Sequence, residues 1–199
     1  MQSRLLTIAG AIEFTPEQYR DERGVFFENF RFEPLEQAIG HPFTVRQGNS
    51  SVSRRGTVRG LHYALVPPGQ AKYVTAAVGA VLDYIVDLRV GSPTFASWEA
   101  VRLDDEQCRA VYLAEGLGHC FVALTDDAVV SYLVSEVFNP ARELGISPTD
   151  PDIGLIFPDE ISDLLLSPKD LAAPSLQQAI DQQLLPSYEE CQAYERTLA

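Results

Sequence analysis

Lys72-Tyr73-Val74-Thr75-Ala76-Ala77-Val78-Gly79-Ala80-Val81-Leu82-Asp83-Tyr84-Ile85-Val86-Asp87-Leu88-Arg89-Val90 is a pair of apolar runs on either side of a Gly-Ala step. Short apolar runs bounded by a turn read as strands, here Lys72–Val78 and Val81–Val90 joined as a hairpin. The pattern repeats downstream. Arg109–Leu113, Gly118–Leu124 and Ala128–Val137 read as further strands, with Asp126-Asp127 as a tight turn. From about residue 43 to 138 the runs recur at the spacing of a barrel or sandwich. Strands never alternate with long helices, which excludes a doubly wound fold.

Toward the N-terminus, Leu5–Ile12 is too short and too broken, by Thr7 and Gly10, for a signal peptide, and reads as an opening strand. Thr15-Pro16-Glu17-Gln18 has capping-box spacing and predicts a helical turn. Val25–Phe30 reads as a strand after an Arg23-Gly24 turn, and residues 34–39 as one helical turn ending at Gly40. Toward the C-terminus, residues 139–173 are loop-rich, with five prolines. The segment from about 174 to 197 is helical, with Ser187-Tyr188-Glu189-Glu190 as a second capping box. The chain therefore reads as one domain over residues 1–199, a β-core with short helices packed outside it.

Composition narrows the function. The sequence has 199 residues, 46% of them apolar, and 28 acidic against 15 basic side chains, for a formal charge of -13. Nucleic acid and anionic membranes need a basic face, so neither is expected as a partner. No apolar run reaches the ~18 residues of a membrane helix. Thirteen of the fifteen basic residues are Arg, so a phosphorylated ligand would be held by a local arginine cluster. Cys108, Cys120 and Cys191 lack CxxC spacing and read as free thiols in a reducing, cytoplasmic setting.

Two of three histidines and one of two lysines fall near strands, in Arg59-Gly60-Leu61-His62, Lys72 and Gly118-His119-Cys120-Phe121, with Tyr132 on the next run. Histidine, lysine and tyrosine together supply what proton abstraction beside a carbonyl needs: a base, a cation for the enolate oxygen and an acid. A hairpin closed by Asp126-Asp127 would set Phe121 opposite Tyr132 and put His119, Phe121 and Tyr132 on one apolar face. Core residues satisfied by backbone partners would share that pattern. A hairpin at Gly79-Ala80 would set Lys72 opposite Asp87, with Asp83 and Ile85 beside it. That is an exposed ion pair or, if the face is interior, a polar site. No His-x-His occurs, so no metal site is expected. Neither GxxxxGK[ST] nor GxGxxG occurs. Cys120 is adjacent to His119 and points away from it, which argues against a thiolate–imidazole pair.

Asp21-Glu22-Arg23-Gly24-Val25-Phe26-Phe27-Glu28, Gln47-Gly48-Asn49-Ser50-Ser51, Arg59-Gly60-Leu61-His62-Tyr63 and Gln70-Ala71-Lys72 resemble, in order, the dTDP-4-dehydrorhamnose 3,5-epimerase family. So do Val86-Asp87-Leu88-Arg89 with Ser92-Pro93-Thr94-Phe95, then Gly118-His119-Cys120-Phe121, Tyr132, Glu143 and Ser167-Pro168-Lys169-Asp170. The resemblance implies a mainly β, cupin-like jelly roll (double-stranded β-helix) that forms a homodimer and needs no cofactor. Its substrate would be a dTDP-4-keto-6-deoxyhexose, epimerised at C3, C5 or both. The resemblance makes His62 the base, Asp170 its carboxylate partner, Lys72 the enolate-stabilising cation and Tyr132 the opposing acid. Arg59 and Arg23 would hold the diphosphate, Arg23 across the dimer. Phe26, Glu28, Gln47, Asn49, His119, Glu143 and Lys169 would contact substrate, with Phe138 as a stacking aromatic. The chain departs from the family at Ser50, often His, and at Cys120, often Gly. A catalytically idle sugar-nucleotide-binding barrel and a ketoisomerase on the same barrel are the alternatives.

Overall fold

The computed structural model describes residues 1–199. Its strands are β1 (Gln2–Leu5), β2 (Ala11–Thr15), β3 (Gln18–Asp21), β4 (Gly24–Phe27), β5 (Gln47–Ser53), β6 (Val58–Ala64) and β7 (Lys72–Val78). They continue with β8 (Ala80–Asp87), β9 (Trp98–Asp104), β10 (Ala110–Leu113), β11 (Leu117–Ala123), β12 (Ala128–Val134) and β13 (Glu143–Gly145). The helices are α1 (Phe32–Ile39), α2 (Pro168–Leu171), α3 (Leu176–Asp181) and α4 (Tyr188–Glu195). Two antiparallel sheets, ordered β1-β2-β10-β7-β12-β5 and β13-β6-β11-β8-β9, form a cupin-like jelly roll, and β3-β4 stands apart as a two-stranded ribbon.

The two expected hairpins are corners instead. β7 pairs with β10 and β12, whereas β8 pairs with β9 and β11. The chain changes sheet at Gly79, whose φ of +69° suits glycine, and the Gly79 N–H donates to Asp105 Oδ2 at 2.7 Å. Likewise β11 and β12 lie in different sheets, and the turn between them carries Asp127 at φ +54°. Lys72 therefore does not face Asp87; its cross-strand neighbours are Leu113 and Val134. Period-two alternation places side chains correctly on a face, but it cannot say which strand lies alongside.

Alternation then divides the apolar residues into layers. Val74, Ile85, Leu103, Val111, Phe121 and Val130 fill the space between the sheets. Tyr63, Tyr84 and Cys120 point outward from the five-stranded sheet and are covered by α3 through Leu176 and Ala179. Phe14, Tyr73 and Tyr112 cover the other sheet beneath Leu35 of α1. A full capping box forms at α3, where the sequence reading predicts only a helix, with the Ser175 hydroxyl accepting from Gln178 N and the Gln178 side chain reaching back. At Ser187 only the hydroxyl half of the box forms. No helix forms at Thr15-Pro16-Glu17-Gln18. There β2 ends and β3 begins, and the Gln18 amide donates to Glu106 O at 2.7 Å instead of capping a turn.

Candidate active site

Arg59 and His62 lie three apart on β6, so regular alternation would send them to opposite faces. The register resolves this: His119 is opposite His62 and Phe121 opposite Arg59, so three steps on β6 match two on β11. This is a bulge. Gly60 sits in it at φ +141°, and a Cβ there would lie 2.6 Å from Cys120 Cα. The bulge returns both side chains to the interior.

His62 lies between His119 of β11 and Gly145 of β13. Its Nε2 is 2.7 Å from Asp170 Oδ1, with the carboxylate buried and the imidazole half-exposed. The second oxygen, Asp170 Oδ2, accepts from Ser167 Oγ at 2.7 Å. Burial works to raise the Asp170 carboxyl, but the hydrogen bonds from His62 and Ser167 overcome it and hold it below its usual range. An ionised Asp170 accepts a proton from Nε2, which leaves Nδ1 with its lone pair as the basic atom.

A second pair lies beside the first. His119 Nε2 is 2.7 Å from Asp83 Oδ2, and Asp83 is wholly buried on β8. That burial pushes the Asp83 carboxyl up, against the pull of His119. Tyr132 enters from the opposite sheet. Its pKa is raised, first by burial and then by Glu143, so its hydroxyl remains a proton donor. His62, His119 and Tyr132 line one cleft of ≈ 610 Å³ together with Asn49, Arg59, Phe121, Lys169 and Asp170. The size suits a small-molecule site. His119, Phe121 and Tyr132 do share an interior, as expected, but they meet across the gap between sheets and not along a hairpin.

Seven of the proposed residues lie outside this cleft. Lys72 is buried, its ammonium donating to Gln70 Oε1, and burial lowers its pKa to about 8 against the pull of Glu143. The Gln70 amide in turn donates to Glu143 Oε1 at 3.2 Å. Gln47 bonds Asn49 Oδ1 at 2.7 Å and accepts from Phe138 N at 3.0 Å, so it ties the 135–142 loop to β5. Phe138 is 55% exposed. Arg23, Phe26 and Glu28 belong to the β3-β4 ribbon and its exit; Arg23 is paired with its neighbour Asp21 and Phe26 is 68% exposed. Within this chain these three lie apart from the residues that line the cleft.

Two features went unread in the sequence. Nothing in the sequence sets Ser167 apart beyond its place in Ser167-Pro168-Lys169-Asp170. Asp83 was placed beside Lys72, yet it serves His119; its interior face follows from Ile85 two residues on. The Asp87-Leu88-Arg89 and Ser92-Pro93-Thr94 motifs form a buried staple away from the cleft. Asp87 accepts from Arg89 at 2.8 Å, from Ser92 at 2.5 Å and from Thr94 at 2.7 Å.

Residues 5–178 match the dTDP-4-dehydrorhamnose 3,5-epimerase family. A dTDP-4-dehydrorhamnose 3,5-epimerase of Mycolicibacterium smegmatis is 51% identical over 198 residues, 100% of this chain and 97% of the relative. A dTDP-4-dehydrorhamnose 3-epimerase of Streptomyces niveus is also 51% identical, covering 97% of this chain and 92% of its own. The structure of the Mycobacterium tuberculosis rmlC epimerase superposes with a TM-score of 0.98 at 44% identity, covering 100% of both chains. The chain belongs to the dTDP-4-dehydrorhamnose 3,5-epimerase family.

Proposed function

We propose that the protein epimerises a dTDP-4-keto-6-deoxyhexose beside its C4 ketone. The observation that carries this reading is that the His62–Asp170 pair and the Tyr132 hydroxyl enter one cleft from opposite sheets. Protons on C3 and C5 are acidic because the C4 ketone accepts the electron pair, so the substrate is its own electron sink. Nδ1 of His62 takes the proton, and Asp170 stabilises the imidazolium. Tyr132 returns a proton to the other face, which inverts the carbon. Lys72 neutralises the enolate oxygen once substrate draws its ammonium from Gln70. Arg59 and Lys169 hold the diphosphate, with Asn49, Gln47, His119, Glu143 and Phe138 around the nucleotide and sugar.

Two copies associate in this reading, so that Arg23, Phe26 and Glu28 on the β3-β4 ribbon complete the neighbouring cleft. Tyr19 and Phe26 on that ribbon, Val52 on the edge strand β5 and Val78 at the end of β7 are exposed apolar groups that such an interface would cover. Three unpaired buried cysteines fit a cytoplasmic enzyme. No helix is long and apolar enough to cross a membrane.

The site chemistry is the same for attack at either carbon, and the 3,5-epimerase and the 3-epimerase relatives are equally identical to this chain. NMR of dTDP-4-keto-6-deoxyglucose with the enzyme in deuterated water decides both points. Deuterium at C3, C5 or both names the reaction. No incorporation at either carbon would sink the epimerase reading and favour a binding barrel.

A further inference from the structure

Asp170 uses both carboxylate oxygens. Oδ1 holds His62 and Oδ2 accepts from Ser167 Oγ, each at 2.7 Å. The same Oγ accepts from the Asp170 backbone N–H at 3.1 Å, which makes Ser167 the N-cap of α2. These bonds have only one possible direction. A backbone N–H can only donate, so the serine's single proton goes to the carboxylate, an O–H···O⁻ bond of the charge-assisted kind. The segment carrying Ser167 is itself laced to the strand that carries His62. Val58 N donates to Leu165 O and Leu165 N to Gly56 O, both at 2.9 Å.

We propose that Ser167 is a positioning residue for the His62 base, fixing the Asp170 carboxylate so that Oδ1 stays on Nε2 and Nδ1 stays free for the sugar proton. Without its hydroxyl the carboxylate can turn about its own bond and offer either oxygen to the ring. A buried Asp170 would also be easier to protonate, and a protonated Asp170 no longer fixes the imidazole tautomer. The groups that sense the Asp170 charge are His62 on β6, the buried Cys120 thiol on β11 and Lys169 on its own helix. The claim rests on the proposed epimerase reading, since it concerns that base.

A helix cap alone would produce the same geometry, so the test separates capping from positioning. Ser167→Thr keeps both functions, Ser167→Ala removes both, and Ser167→Gly removes the hydroxyl while remaining a tolerated N-cap. The three variants and the parent are compared for thermal unfolding and for kcat of deuterium wash-in at saturating dTDP-4-keto-6-deoxyglucose across pH. The Thr variant should retain most of the rate, and the Ala variant should lose about 10- to 100-fold, the worth of a hydrogen bond to a charged group. The Gly variant should unfold near the parent temperature, because glycine is accepted at an N-cap. Its rate should nonetheless fall as far as that of Ala, with the acid limb moved to higher pH because Asp170 has lost the hydroxyl that helps hold its carboxylate ionised. A Gly variant with parental kcat and acid limb would overturn the role of Ser167 while leaving the epimerase standing. A parent that exchanges no deuterium would take both readings down.

Discussion

Gly60→Ala tests whether the bulge, and not merely the residues on it, builds the site. Two independent penalties meet at this position. An L-residue held at φ +141° costs about 1–3 kcal/mol in backbone strain. The new methyl would also lie 2.6 Å from Cys120 Cα and 2.7 Å from His119 O, backbone atoms of a central strand that cannot swing aside. Overpacking of that kind costs about 1–3 kcal/mol more. Together they predict a loss of about 4 kcal/mol, or about 8–16 °C in Tm for a chain of this size. The alternative for the mutant is to remove the bulge, which turns either Arg59 or His62 out of the cleft. Urea unfolding of the mutant beside Gly48→Ala supplies the control. Gly48 lies on β5 with no left-handed φ, and its added methyl would meet only Leu133 Cδ2 at 3.6 Å, so less than about 0.5 kcal/mol is expected there. A Gly60→Ala protein with parental stability and parental deuterium exchange would refute the argument that this bulge places the base.

The remaining predictions follow from single side chains. Tyr132→Phe should retain deuterium wash-in, because His62 can return a solvent-exchanged proton to the face it came from, while net epimerisation falls much further; equal losses of both, read by NMR, would remove Tyr132 as the opposing acid. Arg59→Lys should weaken dTDP binding although the charge is kept, and Arg59→Ala more, by about one to two decades per charged hydrogen bond lost; calorimetry showing no change in either variant would take Arg59 out of the diphosphate site. Lys72 in the folded protein titrates near 8 because it is buried, below its ordinary 10.5, so between those values the unfolded chain binds the extra proton and stability rises with pH. Below pH 8 the full cost of about 3 kcal/mol applies. Lys72→Met should therefore lose activity without losing stability at pH 7, and its unfolding free energy should lack the parent's rise from pH 8 to about 10.

Strand positions were readable because apolar runs and turn residues alternate strongly between 43 and 138; Lys72–Val78 matches β7 end to end. Strand partners were not. A jelly roll makes neighbours of segments far apart in the chain: β6 pairs with β11 and β2 with β10, and nothing local in the sequence encodes those pairings. The site survived that error because alternation assigns faces independently of pairing. His119, Phe121 and Tyr132 were correctly grouped although β11 and β12 never touch as a hairpin. The converse failure is Lys72 opposite Asp87, where a face assignment was turned into a contact. Asp87 belongs to Arg89 two residues on, a local pairing within its own motif. Thr15-Pro16-Glu17-Gln18 failed for another reason: capping residues can satisfy a helix terminus only if the following residues form the helix, and here they pair as β3.

The division of the side chains between the sheets explains why this architecture suits inversion at carbon. His62, Asp83 and His119 come from β6, β8 and β11 of one sheet, and Tyr132 from β12 of the other. Packed sheets stand about 10 Å apart, enough for a sugar ring between them once the intervening side chains are small or polar. Toward the β9 side Val101 and Leu103 close that gap, while at β5 and β6 the residues facing it are Asn49, Ser51, Arg59 and His62. In the proposed reading the ring lies there parallel to the sheets, with one face to the histidines and the other to the tyrosine. A base and an acid on a single sheet would remove and return a proton on the same side and yield exchange without inversion. On the proposed reading the opposition of sheets, built from residues 70 positions apart in the chain, supplies the stereochemistry, so a protein with the same four side chains gathered on one sheet should wash deuterium in and leave the sugar's configuration unchanged.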